Sequence, residues 1–160
     1  MNDFQKHILD GNFNTAYNLA KEKKKKEICD ELIEISIKTQ NILVYGFITY
    51  ALLQKETVSW HSVAISVLEM AFSYVEGAYE LAYCHAKRAL ELDPDSFEAL
   101  SSIMFLSGYP NTNGTKEDFE WAKNRIRELY PNDSILKLEF GRGMPLKDLK
   151  NSKLAELNKN

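Results

Sequence analysis

Ala78-Tyr79-Glu80-Leu81-Ala82-Tyr83-Cys84-His85-Ala86-Lys87-Arg88-Ala89-Leu90-Glu91-Leu92-Asp93-Pro94-Asp95 is the stretch that decides the fold of this chain. Ala82 and Ala89 stand at helical spacing, and small side chains there let a neighbouring helix approach closely. Pro94 lacks an amide hydrogen and cannot continue the helix, so it opens a turn. Asp95-Ser96-Phe97-Glu98 follows at once with the D-x-x-E spacing of a capping box, so a new helix is expected to start there. The stretch therefore reads as one helix–turn–helix unit of an α-helical repeat, an architecture that usually holds other proteins.

A second copy of the unit follows. Residues 89–96, Ala-Leu-Glu-Leu-Asp-Pro-Asp-Ser, align with residues 126–133, Ile-Arg-Glu-Leu-Tyr-Pro-Asn-Asp. The helix over 78–92 resembles the second helix of a tetratricopeptide repeat, with Ala82 and Ala89 at its small positions and Pro94 at its closing proline. Ala86 departs from that pattern, which prefers an aromatic. Ser66, Glu69, Met70 and Ser73 stand where the first helix of a unit would carry Trp, Leu-Gly and Tyr. The repeat is degenerate and covers about a third of the chain, and an irregular helical bundle is the competing architecture.

Apolar residues recur at helical spacing nearly everywhere, and strand signals are almost absent. Asn2 with Gln5 caps a first helix to Leu9, and Asp10-Gly11-Asn12 ends it. A second starts at Asn14 or Thr15, a third spans about 26–38, and a fourth runs from Asn41 to about Lys55. The fourth is apolar all round and too short for a bilayer, so it reads as buried. Thr57 caps a fifth, rich in apolar residues, in which only Glu69 is charged between Val58 and Val75, which places it centrally. Gly77 breaks that helix or caps the next. The sixth spans about 78–92, the seventh about 96–106, and the eighth runs from a Thr115 cap to about Leu129. Gly108, Pro110, Asn111, Asn113 and Gly114 form a loop between the last two. The expected core includes Trp60, Val67, Phe72, Leu81, Ala82, Ala89 and Leu92. The prediction is one all-α domain of about eight helices over 1–140, onto which Ile135, Leu136, Leu138 and Phe140 pack. A flexible or weakly helical tail follows over 141–160, with a last short helix near 146–157.

A length of 160 residues is one domain's worth of chain and enough for a hydrophobic core. Cys29 and Cys84 sit in helical patterns and form no C-x-x-C pair, which points to free thiols in a reducing cytoplasm. The first residues hold no long apolar stretch, so no signal peptide is expected. The formal net charge of −3 argues against general nucleic-acid binding. Lys21, Lys23, Lys24, Lys25 and Lys26 form a basic cluster beside Glu27, Asp30, Glu31 and Glu34. Mixed signs like these mean paired, solvated faces, and no aromatics interleave to stack bases as an RNA site requires.

The sequence offers no active site. His61 and His85 lie on adjacent helices, but no acid stands three or four residues from His61 to complete a metal or acid–base constellation. His85 shares the stripe of Ala78, Ala82 and Ala89 and reads as a core or capping histidine. Gly141-Arg142-Gly143 is not followed by a helix with a Lys-Ser/Thr pair, so no phosphate loop is present. No catalytic residue, metal ligand or cofactor is assigned.

The functional lead is charge. Between residues 69 and 98 stand seven acids, Glu69, Glu76, Glu80, Glu91, Asp93, Asp95 and Glu98, against Lys87 and Arg88. Glu76, Glu80, Glu91, Asp93 and Asp95 are the candidate partner-binding residues, since a concentrated charge steers an oppositely charged partner and sets its register. The segments Trp60-His61-Ser62-Val63-Ala64-Ile65-Ser66-Val67-Leu68, Val75-Glu76-Gly77-Ala78-Tyr79-Glu80-Leu81-Ala82 and 85–95 resemble a small bacterial family of helical immunity proteins. Such proteins are encoded beside secreted or contact-dependent toxins, including EndoU-like ribonucleases. The likeness covers roughly 58–130. It implies a cytoplasmic antitoxin, without enzymatic activity, that neutralises a cognate basic nuclease by stoichiometric binding, with no membrane or direct nucleic-acid contact. The other reading is a repeat-type adaptor that docks a peptide or protein.

Overall fold

The computed structural model describes residues 1–109 and 112–141. Eight helices follow in order: α1 (Asp3–Leu9), α2 (Phe13–Ala20), α3 (Lys25–Thr39), α4 (Leu43–Gln54), α5 (Val58–Met70), α6 (Ala78–Leu92), α7 (Phe97–Leu106) and α8 (Lys116–Leu129). A short 3₁₀ turn, Ser134–Lys137, closes the described part. The protein is all-α, a helical bundle, with no β-strand among the described residues. Pro110 and Asn111 of the expected loop, and the expected tail from Arg142 with its helix near 146–157, lie outside the described residues.

Local chemistry explains most of the boundaries. Asn2 and Gln5 form a reciprocal capping box at α1, and Thr115 with Asp118 does the same at α8. Thr57 caps α5 by accepting from the Trp60 amide. At α7 the cap is Ser96, whose hydroxyl accepts from the Ala99 amide, and not Asp95. The Asp95 carboxylate is drawn to Arg125 of α8, and Glu98 to Lys25 and Ser62, so neither acid is left for a capping box.

The two turns aligned in the sequence close with the same hydrogen bonds. The Asp93 amide donates to Ala89 and the Tyr130 amide to Ile126. One turn later the Ser96 amide donates to Asp93 and the Asp133 amide to Tyr130. Ser96 and Asp133, aligned in the repeat, each cap the element that follows. α5, α6, α7 and α8 stack in chain order, and α3 and α7 flank α5.

α5 is the central helix, in contact with α3, α4, α6 and α7. Phe47 of α4 forms the other centre, with the rings of Phe4, Phe13 and Trp60 at 5.5–6.0 Å. Ala82 and Ala89 are fully buried on α6, as small residues at a close helix contact require. Three expectations are corrected. Leu81 and Leu92 are 37% and 41% exposed, because α6 turns inward the face that carries Ala78, Ala82, Tyr83, Ala86, Ala89 and Leu90. α4 buries Val44, Phe47, Ile48 and Ala51 but leaves Leu53 80% exposed, so it lies at the surface. α5 ends at Met70, not near Val75: Phe72 folds back into the core, Tyr74 and Val75 turn outward, and Gly77 takes a left-handed conformation at φ 82° before α6.

Past α8 the chain returns to the body as expected. Ile135 and Leu138 are buried, Phe140 meets the Phe119 ring edge-on, and the Lys123 ammonium donates to the Leu138 carbonyl. Gly108 lets the returning chain approach, since a Cβ there would lie 2.7 Å from the Gly141 nitrogen.

Candidate functional site

α6 and its two flanking turns carry the five candidate carboxylates. Glu80 and Glu91 share one face, and their eleven-residue separation places them about 16 Å apart along the helix. Glu76 precedes α6 in the α5–α6 turn, exposed beside Tyr74 and Val75, and has no ion pair among the described residues. The other four are engaged within the fold. Glu80 accepts from both the backbone and side-chain amides of Asn113 at 2.6 Å, pinning the α7–α8 loop to α6. Glu91 pairs with Arg88 at 2.5 Å. Asp93 accepts from the Asp95 amide in the turn. Asp95 takes two guanidinium bonds from Arg125. Glu91, Asp93 and Asp95 nevertheless stay exposed, and such pairs are weak enough to be exchanged for a partner's cations.

Three of the five lysines of the basic cluster are ion-paired within the fold. Lys23 bonds Glu27 and Glu31, Lys26 bonds Asp30 and Lys25 bonds Glu98.

The two histidines meet. His61 of α5 and His85 of α6 face each other through their Nδ1 atoms at 2.8 Å. His85 Nε2 lies 2.8 Å from the Tyr45 hydroxyl, and His61 Nε2 lies 3.2 Å from Glu56 Oε1. Arg88 grips Glu56 with two bonds of 2.8 Å. With one N–H on each neutral ring, a single assignment satisfies every contact. Tyr45 O–H donates to His85, His85 Nδ1–H donates to His61, and His61 Nε2–H donates to Glu56. Glu56 stands five residues before His61, outside the three- and four-residue spacings that share a helix face with it, because it belongs to the loop before α5. The neighbouring Arg88 guanidinium, and then His61, hold its carboxyl down at about 2. Burial, with His61 adding to it, pushes His85 down to about 4. The chain of bonds runs through the bundle and ties α4 and the α4–α5 loop to α5 and α6. No group of three or more His, Cys, Asp or Glu able to hold a metal occurs among the described residues.

A cleft of about 620 Å³ opens between α3, α5 and α7. Each helix gives it one stripe at helical spacing, and Ile33, Ile65, Met70 and Phe105 form its apolar wall. Its charges pair off as Lys25 with Glu98 and Lys26 with Asp30, leaving Glu69. As a residue Glu69 is half-buried, but its Oε1 is closed off from solvent and has no hydrogen-bond partner among the described residues. Burial raises its carboxyl to about 7. Burial also pushes the Cys29 thiol up, against a hydrogen bond from Ser66, so the thiol stays protonated and is a poor nucleophile. The signal for this cleft in the sequence is Ser62, Ser66 and Glu69, polar residues repeating on one face of an otherwise apolar helix.

No helix among the described residues is long and apolar enough to cross a membrane. No family model matches the chain, and neither a curated protein nor a solved structure does.

Proposed function

We propose that this protein is an immunity protein, which neutralises a cognate bacterial toxin by stoichiometric binding in the cytoplasm and carries out no chemistry of its own. The observation that supports this reading is the run of exposed carboxylates, Glu76, Glu91, Asp93 and Asp95, along α6 and its turns, opposed on that helix by Lys87 and Arg88. A ribonuclease cleft is basic because it receives phosphates, and an acidic face can occupy it in their place. At the end of α5 and in the α5–α6 turn that carries Glu76, Met70, Tyr74 and Val75 are exposed, and Tyr74 adds an aromatic anchor of the kind that carries binding energy at interfaces.

The test begins with the product of the adjacent reading frame, co-expressed and co-purified with this chain. Glu76→Lys with Glu91→Lys is the informative pair of substitutions. Glu80 is avoided because its loss would also release the α7–α8 loop. Surface plasmon resonance at two salt concentrations should show slower association for the double variant, with a larger deficit at low salt, since exposed charges are screened beyond about 8–10 Å at physiological ionic strength. A complex whose association ignores both salt and the substitutions would reject the acidic face. The absence of any complex, or of nuclease inhibition, would reject the immunity function.

A further inference from the structure

We infer that Tyr45, His85, His61 and Glu56 form a one-proton switch: their chain of bonds takes up a single proton by reversing the bond between Tyr45 and His85, and it cannot take up a second without breaking the His61–His85 contact between α5 and α6. This inference is independent of the toxin-binding reading and concerns the interior of the bundle.

The count of hydrogens sets the limit. Three contacts link the four groups: Tyr45 to His85 at 2.8 Å, His85 to His61 at 2.8 Å and His61 to Glu56 at 3.2 Å. One hydroxyl and two neutral rings supply three hydrogens, one for each contact. A fourth hydrogen has to point out of the chain of bonds. Neither ring can turn one outward, because both nitrogens of each ring are already engaged. The Glu56 end does not take it either, since the Arg88 guanidinium, and then His61, hold that carboxyl at about 2. The Tyr45 hydroxyl has the freedom required. It rotates about its C–O bond, accepts from His85 Nε2–H and turns its own hydrogen away. Each of the three contacts then still holds one hydrogen. A fifth hydrogen would place an N–H on both Nδ1 atoms, facing each other across 2.8 Å with no lone pair between them. The rings would have to separate, and the contact between α5 and α6 is lost at that point.

Charge sets the same limit. The groups that face the pair are Tyr45 from α4, with Cys84 of α6 near it, Glu56 from the α4–α5 loop, and Arg88 from α6. Arg88 is shared between Glu56 and Glu91, so Glu56 keeps negative charge to offset one imidazolium on His61. A second imidazolium would stand against the first across the Nδ1 contact, in a place where His61 is only 4% exposed. Burial, with His61 adding to it, pushes His85 down to about 4, as befits the ring that receives the second charge.

Imidazole-nitrogen NMR on the full chain, labelled with nitrogen-15 histidine and titrated from pH 8 to pH 5, tests the switch. At pH 8 the rings should show opposite tautomers, with the hydrogen on Nδ1 in His85 and on Nε2 in His61. On acidification both rings should change together at one midpoint, and their combined change should equal one imidazolium. Glu56→Gln keeps an acceptor for His61 but removes the charge, so the midpoint should fall by about one pH unit or more. Arg88→Gln should raise it, because Glu56 then faces His61 without a competing cation. Circular dichroism confirms an unchanged helix content for each variant. Identical tautomers at pH 8, two imidazoliums in the pair above pH 5, none in the pair above pH 5, or a midpoint that fails to move in the stated direction under either substitution overturns the inference.

Discussion

Two half-buried titrating groups of opposite character should offset each other in the pH dependence of stability, and removing either should expose the other. His85 has its folded-state value lowered to about 4 from an ordinary 6.5. Between those values the unfolded chain binds more protons, so stability falls as pH drops from 6.5 towards 4. Glu69 has its folded-state value raised to about 7 from 4.5. There the folded chain binds more protons, so stability falls as pH rises from 4.5 towards 7. Each displacement is worth roughly 3 kcal/mol when fully expressed, and about 2 kcal/mol of it develops between pH 5 and pH 7. The two contributions run in opposite directions over the same window, so in the native chain they largely offset each other. Glu69→Gln should leave a protein whose stability increases by about 2 kcal/mol from pH 5 to pH 7. His85→Gln should leave one whose stability decreases by a similar amount, whatever its absolute stability, and the double variant should be flat again. Urea unfolding at constant ionic strength and at pH 5, 6 and 7 measures all four proteins. If Glu69→Gln shows the same pH dependence as the native chain, the Glu69 carboxyl titrates normally and the reasoning fails; a decrease in that variant would refute the assignment for His85.

Ala82→Leu should destabilise the fold by about 1–3 kcal/mol, because Ala82 is fully buried at the α5–α6 contact and extra methylenes there overpack it. Thermal or urea unfolding checks this, and a change within about 0.5 kcal/mol would mean that the helices separate at little cost at that point. Ser96→Ala should cost about 1 kcal/mol through loss of the α7 cap, whereas Asp95→Ala should cost less because it breaks a surface pair with Arg125. The reverse order would restore Asp95 as the cap.

The sequence by itself determined the helices, because their signals are local. A cap, a proline or a small-residue stripe acts within one or two turns of itself, so Asn2 with Gln5, Thr57, Thr115 and Pro94 mark boundaries without knowledge of any neighbour. It also pointed to α5 as central, since a helix with apolar residues on most sides favours many helical neighbours. The same logic misplaced α4, where apolar residues such as Leu53 face outward, because composition does not say how many neighbours a helix has. The end of α5 at Met70 was hidden for a related reason: Phe72 leaves the helix to fill the core, a choice made by the packed interior and not by the local chain. The candidate carboxylates were legible as a charge excess, but their pairings were not. Asp95 finds Arg125 thirty residues away and Glu80 finds Asn113 across a loop. Only the tertiary structure joined Tyr45, His85, His61, Glu56 and Arg88, since their contacts cross three helices and a loop with no helical phase relating them. It alone closed α3, α5 and α7 around Glu69, because a cleft is a property of the space between helices, and helical periodicity describes one helix at a time.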